Sequence, residues 1–378
     1  MLGSKEIMIL FNDVASQWRE IEAKALPEIT EFFRTGPYIL GANVKAFEEA
    51  FASWCWTSFA IGMSSGSDAL RLACRALRKY TDGRIIVQAN AHISDALAGD
   101  GQIIFVDCDQ YYNMDIDDLA KVIGSRIPGN PSNNPLIILT HMYGQPGNLP
   151  EIRKRFPDAL IIEDCSQAAG ALINGRPVGS HGEIGAFSLY PTKNLGAVGD
   201  AGICVTGQYL YRDKIRLLRE YGQVDKKDCV TTDGWNCRLD EIQAIILNHK
   251  LPLVKRWIDA KRNVADAYTK ALTGVGDIVL PQKAPYAENH TWHIYAIRTR
   301  KRDALMAFLK KNLVPTLIHY AVPLNKTETF VTLSSNRDCE RAEAFAKELL
   351  SLPIHPYMTY DQVGMIASLI KEFYAANP

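Results

Sequence analysis

The stretch Gly185-Ala-Phe-Ser-Leu-Tyr-Pro-Thr-Lys-Asn-Leu-Gly-Ala-Val-Gly199 joins an apolar strand pattern to a lysine, Lys193, in a glycine-rich turn. Upstream of it, the apolar run Ala159-Leu-Ile-Ile162 ends in the acids Glu163 and Asp164. In open α/β sheets, functional side chains collect at the carboxyl ends of the strands. The sequence therefore predicts that an amine and a carboxylate lie at the same edge of one sheet.

Short apolar runs alternate with helical patterns between about residues 60 and 205. The predicted strands are Phe59–Met63, Arg84–Val87, Gln102–Val106, Pro135–Leu139, Ala159–Ile162, Ala186–Tyr190 and Gly202–Val205. Strands separated by helices in this way are typical of a mostly parallel sheet covered by helices on both faces. We therefore expect an α/β fold built on a mixed, mostly parallel sheet.

The carboxyl-terminal part of the chain has fewer apolar strands. Its predicted elements are the helices Leu239–Leu253, Val254–Leu272, Lys301–Lys311 and Asn336–Leu350 and the strands His293–Ile297 and Thr316–Tyr320. Pro252 should break the helical pattern between the first two helices. Because 378 residues exceed the roughly 250–300 residues of a single core, we expect a large domain over residues 1–250 and a small α/β domain over 251–378. The first thirty-odd residues read as helical, and residues 128–135 as a surface loop.

Composition narrows the class of function. Lys and Arg together number 42, as do Asp and Glu, which argues against nucleic acid or an anionic membrane as a partner. The eight cysteines form no CxxC pair, and this is typical of reduced thiols in a cytoplasmic protein. Because no uninterrupted apolar stretch reaches about 18 residues, neither export nor membrane insertion is expected. Small-molecule chemistry in the cytoplasm is the natural expectation.

The segment Ser64-Ser-Gly-Ser-Asp68 follows a predicted strand and begins an amphipathic helix. A helix amino terminus binds anions through its exposed N–H groups and its dipole. Gly66 permits close approach of the backbone, and Ser67 adds a hydroxyl. This pattern favours a phosphate site, although Ser67 or Asp68 as a simple helix cap is the alternative.

Lys193 and Asp164 together suit pyridoxal phosphate. Asp164, ionised beside a protonated pyridine nitrogen, would make the ring an electron sink. Lys193 would form the covalent bond to the cofactor aldehyde and carry a proton beside the substrate carbon. The alternatives are a helix-capping or surface-paired Asp164 and an exposed loop lysine.

Three further residues are candidates for the same site. Gln167 is placed to donate to the cofactor's phenolic oxygen, Ser188 to reach its phosphate, and His92 to lie against its ring. The alternative for Gln167 is a helix-surface amide, and the alternative for His92 is a core or loop histidine. The eight histidines show no metal-ligand spacing, so no metal site is predicted.

With these residues in order, the chain resembles the DegT/DnrJ/EryC1/StrS family of pyridoxal phosphate-dependent nucleotide-sugar aminotransferases, which have the fold type I, aspartate aminotransferase-like architecture. The segments that carry the resemblance are Ser64-Ser-Gly-Ser-Asp-Ala-Leu70, His141-Met-Tyr-Gly-Gln-Pro146, Glu163-Asp-Cys-Ser-Gln-Ala-Ala-Gly170, Ser188-Leu-Tyr-Pro-Thr-Lys-Asn-Leu-Gly196 and Asn236-Cys-Arg-Leu-Asp-Glu-Ile-Gln-Ala244. The resemblance covers nearly the whole chain, from Gly36-Pro-Tyr-Ile-Leu-Gly41 to Ser351-Leu-Pro-Ile-His-Pro356.

The resemblance implies a role for each candidate residue. Lys193 bonds the cofactor, Asp164 pairs with the pyridine nitrogen and Gln167 with the phenolic oxygen. His92 stacks on the ring. The phosphate ligands would be Gly66, Ser67, Ser188 and, from the second subunit of a homodimer, Asn236. L-Glutamate would donate its amino group to give the pyridoxamine 5'-phosphate form, which then aminates a nucleotide-linked keto sugar.

Three further segments resemble the members of the family that aminate C-3 of a dTDP-3-keto-6-deoxyhexose. They are Tyr221-Gly-Gln223, Gly234-Trp-Asn-Cys-Arg-Leu-Asp240 and Leu317-Ile-His-Tyr320. The candidate substrate residues are Tyr221, Arg238, His319 and Tyr320, and an ion pair of Arg238 with Asp240 or Glu241 is the alternative for that residue. The chain departs from the family pattern at Gln88, Ser94-Asp95, Ala321 and Lys326, which bears on substrate preference. The dehydratase branch of this family has histidine at the position of residue 193. Because residue 193 is a lysine, that branch is disfavoured.

Three alternatives remain open at this point. The first is a C-4 aminating relative, and the second is a non-catalytic cofactor-binding regulator. The third is another fold type I enzyme, such as a cysteine desulfurase or lyase, for which Cys165 would have to be the reactive cysteine.

Overall fold

A seven-stranded sheet forms the centre of the molecule. The computed structural model describes residues 9–124, 134–224, 228–333 and 337–377, with side chains except at 332 and 333. Most of the predicted loop at 128–135 therefore lies outside the described residues. The strands are β1 (Phe59–Met63), β2 (Arg84–Gln88), β3 (Gln102–Val106), β4 (Leu136–Thr140), β5 (Leu160–Asp164), β6 (Leu172–Ile173), β7 (Arg176–Pro177), β8 (Ile184–Ser188), β9 (Gly202–Thr206), β10 (Gln223–Val224), β11 (Asp228–Cys229), β12 (Tyr295–Arg298) and β13 (Leu349–Leu352).

The order of strands in the large sheet is β1-β9-β8-β5-β4-β2-β3. Strand β9 runs antiparallel to both of its neighbours, and the pairs from β8 to β3 are parallel. The prediction of a mixed, mostly parallel sheet is confirmed. Because β1 and the parallel strands point the same way, their carboxyl ends meet at one edge.

Helices pack against the large sheet and against the pair β12 and β13. The α-helices of the described residues are α1 (Val14–Thr35), α2 (Ala42–Trp54), α3 (Gly66–Leu77), α4 (Ile93–Leu97), α5 (Ile116–Ile123), α6 (Leu149–Arg155), α7 (Tyr209–Arg219), α8 (Glu241–Lys250), α9 (Val254–Leu272), α10 (Arg302–Lys311), α11 (Glu328–Leu333), α12 (Glu340–Glu348) and α13 (Tyr360–Ala376). None of these described helices is both long enough and apolar enough to cross a membrane.

Alternating side chains of the central strands build two hydrophobic cores, one on each face. Ile138 and Ile162 belong to one core, and Ile137 and Ile161 belong to the other. Successive residues of a strand point to opposite faces of its sheet. The continuous apolar runs in the sequence follow from this two-sided burial.

The predicted break at Pro252 is confirmed. Helix α8 ends at Lys250, residues 251–253 form a single 3-10 turn, and α9 begins at Val254. Proline lacks the N–H that would continue the α-helical ladder at this point.

A third hydrophobic core lies in the carboxyl-terminal part. The antiparallel pair β12 and β13 contributes Tyr295 and Leu350 to it, together with side chains of α9, α10 and α13. The division at residue 250 into two domains stays a prediction.

Two predicted elements of this part are wrong in their bounds or type. Residues 316–320 form no strand: Leu317 pairs with Ser351 as an isolated bridge, and the chain then turns so that His319 and Tyr320 face a cavity. The predicted helix Asn336–Leu350 is shorter, since α12 ends at Glu348 and the apolar run that follows pairs with β12 as strand β13.

Candidate active site

A cavity of about 430 Å³ opens at the carboxyl edge of the large sheet. The predicted site residues that line it are Gly66, Ser67, His92, Asp164, Gln167, Ser188, Lys193, His319 and Tyr320. The strand ends and the turns that follow them bring these residues together from positions as far apart as 66 and 320.

One end of the cavity is the amino terminus of α3. Ser65 caps this helix by accepting the N–H of Asp68 at 3.1 Å. The first-turn N–H groups of an α-helix have no partner inside the helix. A Cβ atom on Gly66 would lie 2.5 Å from the Cβ of Ser188, so only glycine allows α3 to approach β8 this closely. The resulting cradle of N–H and hydroxyl groups suits an anion.

Asp164 ends strand β5 and is buried, with 2% exposure. Its carboxylate accepts the backbone N–H of Ser166 at 2.9 Å. A second carboxyl group, that of Asp95 on α4, is in hydrogen-bond contact with it. Sequence reasoning treated Asp95 only as a departure from a family pattern. Its place three residues after His92, on the short helix that follows β2, was the signal that it would lie next to the site.

Lys193 lies on the turn after β8, where its N–H donates to the carbonyl of Tyr190 at 2.8 Å. Burial lowers the pKa of Lys193, while the charges of Asp164 and Asp95 oppose that shift. A lysine with a lowered pKa is a better base and nucleophile at neutral pH.

A second buried lysine behind Lys193 was missed by sequence reasoning. Lys261 of α9 donates to the side-chain oxygen of Asn194 at 2.8 Å. Burial lowers the pKa of Lys261 to about 7, and the positive charge of Lys193 adds to the shift. Lys261 lies three or four residues from Trp257, Ile258, Val264 and Ala265, on the buried apolar stripe of α9, and this helical spacing was the signal that could have found it.

The side chain of Gln167 is fixed by two contacts. Its Oε1 accepts the N–H of Tyr143 at 2.8 Å, and its Nε2 donates to the hydroxyl of Tyr320 at 3.3 Å. The Nε2 group of Gln167 is therefore on the side of the side chain that faces Tyr320 and the cavity.

His92 caps helix α4, with Nδ1 accepting the N–H of Ser94 at 3.2 Å. Burial lowers the pKa of His92, and Lys193 adds to that effect. Burial also lowers the pKa of His319 to about 4. Both imidazoles are therefore mostly neutral at pH 7, so neither brings a full positive charge to Asp164 and Asp95.

The other predicted residues do not line the cavity of their own chain. Arg238 donates to the Oδ1 of Asn236 at 3.1 Å and stands 3.7 Å from the carboxylate of Glu220. The guanidinium also lies over the ring of Tyr221. The ion pair of Arg238 is thus with Glu220; the alternative partner Glu241 instead accepts the N–H groups of residues 41, 43 and 44.

Cys165 is fully buried. Burial, together with the negative charge of Glu163, raises the pKa of Cys165 well above the usual thiol value. Since the thiolate is the reactive form of cysteine, the structure contradicts a desulfurase or lyase that uses Cys165.

His141, Glu163 and Cys165 lie close enough to hold a metal ion in principle. However, the carboxylate of Glu163 already accepts the N–H groups of Gly179, His181 and Gly182 at 2.6 to 2.8 Å. His141 contributes a further hydrogen bond from Nε2 at 3.1 Å, because its Nδ1 accepts another N–H. Although burial opposes it, these hydrogen bonds hold the pKa of Glu163 below its usual value. Glu163 is therefore a structural anchor.

We expect Glu163→Ala to destabilise the protein by about 3–5 kcal/mol, because several buried donors would lose their acceptor. Chemical denaturation followed by circular dichroism measures this loss. Glu49→Ala, at a side chain with 69% exposure, should change stability by less than about 0.5 kcal/mol. Equal stability of the two variants would contradict the anchoring role.

Comparison with known proteins agrees with this geometry. The profile of the DegT/DnrJ/EryC1/StrS aminotransferase family matches residues 19–371. The chain is 32% identical to dTDP-3-amino-3,4,6-trideoxy-alpha-D-glucose transaminase of Streptomyces venezuelae over 96% of the chain and 95% of that protein. It is 34% identical to the pleiotropic regulatory protein of Geobacillus stearothermophilus over 96% and 97%.

Solved structures show the same fold. The crystal structure of S. venezuelae DesV in complex with a ketimine intermediate superimposes with a TM-score of 0.89 at 32% identity, covering 97% of this chain and 98% of that one. The chain therefore has the fold type I architecture and belongs to the DegT/DnrJ/EryC1/StrS aminotransferase family.

Proposed function

We propose that this aminotransferase binds pyridoxal 5'-phosphate in the cavity around Lys193 and transfers the amino group of L-glutamate to C-3 of a dTDP-linked 3-keto-6-deoxyhexose. The observation that carries the proposal is the meeting of three groups in one cavity: the first turn of α3, the carboxylate of Asp164 and the amine of Lys193.

The donor set fits this cofactor. The cradle between Gly66 and Ser188 would be filled by any Cβ at position 66, and its N–H and hydroxyl groups suit a phosphate. Asp164 offers a buried carboxylate for a protonated ring nitrogen, and Gln167 offers amide hydrogens for a phenolic oxygen. The remaining group, the amine of Lys193, suits an aldehyde.

The residues of the chain divide the work of the reaction. When bound, pyridoxal phosphate supplies an electron sink for the carbon that loses its proton. Asp164 would hold the ring nitrogen in its protonated form, and the neutral ring of His92 lines the same cavity. Lys193, with its lowered pKa, takes a proton from one carbon and returns it to another.

We also propose that a homodimer completes the site. Arg238 contacts both Asn236 and Tyr221 outside the cavity of their own chain, and Tyr221 is 46% exposed. Trp235, next to Asn236 in the chain, is also exposed, and so are Tyr190 and Val198 on either side of Lys193 in the sequence. Apolar area of this kind is what subunit interfaces bury. A second copy would bring Asn236 towards the phosphate cradle.

Support for C-3 comes from the S. venezuelae relative, whose name describes a 3-amino sugar product. The name of the G. stearothermophilus relative describes a regulator, and this keeps a non-catalytic function as the second candidate. Turnover distinguishes the two, because a regulator needs no proton carrier at position 193.

Incubation of the protein with L-glutamate and dTDP-, UDP- or GDP-linked 3-keto and 4-keto sugars tests the substrate. We expect the dTDP-linked 3-keto-6-deoxyhexose to be aminated at C-3, with one 2-oxoglutarate formed for each amino sugar, and NMR of the product to give the position. Lys193→Ala is the matched control. A product aminated at C-4 would instead support the C-4 alternative, and cofactor binding without any turnover would support the regulator.

A further inference from the structure

We propose that Asp95 is a positioning residue: a neutral carboxylic acid that donates a hydrogen bond to Asp164 and holds that carboxylate in place at the cavity. This inference rests on the proposed function, because the task of Asp164 there is to hold a protonated ring nitrogen. It concerns a residue at which the chain departs from the Ala-Thr pair of the family pattern.

The contacts of Asp95 leave its carboxyl group little freedom. Asp95 lies on α4 with no exposed surface, and its Oδ2 accepts the hydroxyl of Thr140, at the end of β4, at 2.5 Å. Its Oδ1 stands 3.4 Å from the hydroxyl of Ser94. Thr140 pairs in register with Asp164 at the end of β5, so the carboxyl group of Asp95 lies beside that of Asp164. Three neighbouring elements therefore converge on this pair of acids.

When two carboxyl groups lie this close, ionisation of one raises the free energy needed to ionise the other, because their negative charges repel each other. Burial, followed by the charge of Asp164, raises the pKa of Asp95 well above its usual value. Asp164 accepts a backbone N–H from Ser166, which favours its charged form, whereas Asp95 accepts only hydroxyl donors. The shared proton therefore belongs to Asp95, and its O–H points to Asp164.

The charges around the pair are consistent with a single negative charge. Lys193 and Tyr320 interact electrostatically with both acids, and burial raises the pKa of Tyr320, so that the phenol stays neutral. One ionised carboxylate then faces one lysine. With Ser166 on one side and Asp95 on the other, the carboxylate of Asp164 is prevented from rotating away from the cavity.

The variants Asp95→Asn and Asp95→Ala test this inference on the full chain. Asparagine keeps a neutral donor for Asp164 and an acceptor for Thr140, whereas alanine removes both. The first readout is the infrared carbonyl band of a protonated carboxylic acid near neutral pH, measured without cofactor. The second is the dissociation constant of pyridoxamine 5'-phosphate, which needs no bond to Lys193. Circular dichroism verifies that each variant is folded.

We expect the wild-type spectrum to contain a protonated-acid band that Asp95→Asn removes. Asparagine should keep the dissociation constant within about threefold of wild type, and alanine should raise it at least about tenfold, since hydrogen bonds to charged groups contribute roughly 1.5–3 kcal/mol. Asp158→Asn, at an exposed acid, should change neither readout.

The inference is overturned if Asp95→Asn removes no acid band, or if Asp95→Ala binds pyridoxamine 5'-phosphate as tightly as wild type. Failure of the proposed function gives a different result. In that case Asp164→Ala would bind pyridoxamine 5'-phosphate as tightly as wild type, while the wild-type spectrum would still contain the acid band of Asp95.

Discussion

Replacing Lys193 with alanine is expected to reduce transamination by about 10²–10⁴-fold, the contribution of a positioned general acid-base group. The loss should appear in kcat, because Lys193 acts on the proton and does not hold the sugar. The visible absorbance of a lysine-bound cofactor should also disappear. Steady-state kinetics with glutamate and the preferred keto sugar, together with absorption spectra, measures both effects.

The same variant should still bind pyridoxamine 5'-phosphate, because the α3 cradle and Asp164 do not depend on the lysine. Lys154→Ala, at a lysine with 77% exposure, is the surface control and should behave as wild type. Full turnover by Lys193→Ala would remove the basis for the proposed function.

Replacing Asp164 with asparagine is expected to lower turnover by roughly 10²–10³-fold, the usual loss when one preorganised electrostatic partner is removed. Asparagine has nearly the same shape and still accepts the N–H of Ser166. It cannot, however, offer the negative charge that keeps a pyridine nitrogen protonated. Titration with pyridoxamine 5'-phosphate should show weaker binding as well.

Asp158→Asn removes an acid of the same type from an exposed position and should leave kcat and cofactor affinity unchanged. If Asp164→Asn kept wild-type kcat and affinity, the ring nitrogen would have to be held by another group. The carboxylate of Asp164 would then be only a structural acceptor.

The strands of the large sheet could be predicted from sequence because they are buried on both faces. Their apolar runs are continuous, as at Ile137-Ile138 and Ile161-Ile162, and glycines or polar residues follow them. The grouping of Lys193 and Asp164 was predictable for the same reason, since parallel strands place their carboxyl ends together.

Other parts of the site depend on contacts that sequence spacing does not encode. Thr316–Tyr320 has the apolar pattern of a strand, yet a single bridge to Ser351 is all the pairing it makes. The pairing of Asp95 with Asp164 joins residues 69 positions apart. Such tertiary effects override local pattern.

Glu163 and Asp164 are neighbours on β5, and their side chains point to opposite faces of the sheet. Glu163 accepts the N–H groups of Gly179, His181 and Gly182, and Asp164 faces the cavity. Deletion of one residue within β5 before Glu163 would put Asp164 among the N–H donors and leave the cavity without its carboxylate. Insertion of one residue there would turn Glu163 to the cavity and leave those donors without their acceptor. The number of residues in β5 is therefore constrained more strictly than the identity of its aliphatic side chains. Exchange among Ile, Leu and Val keeps the register of the strand, whereas a change in its length does not.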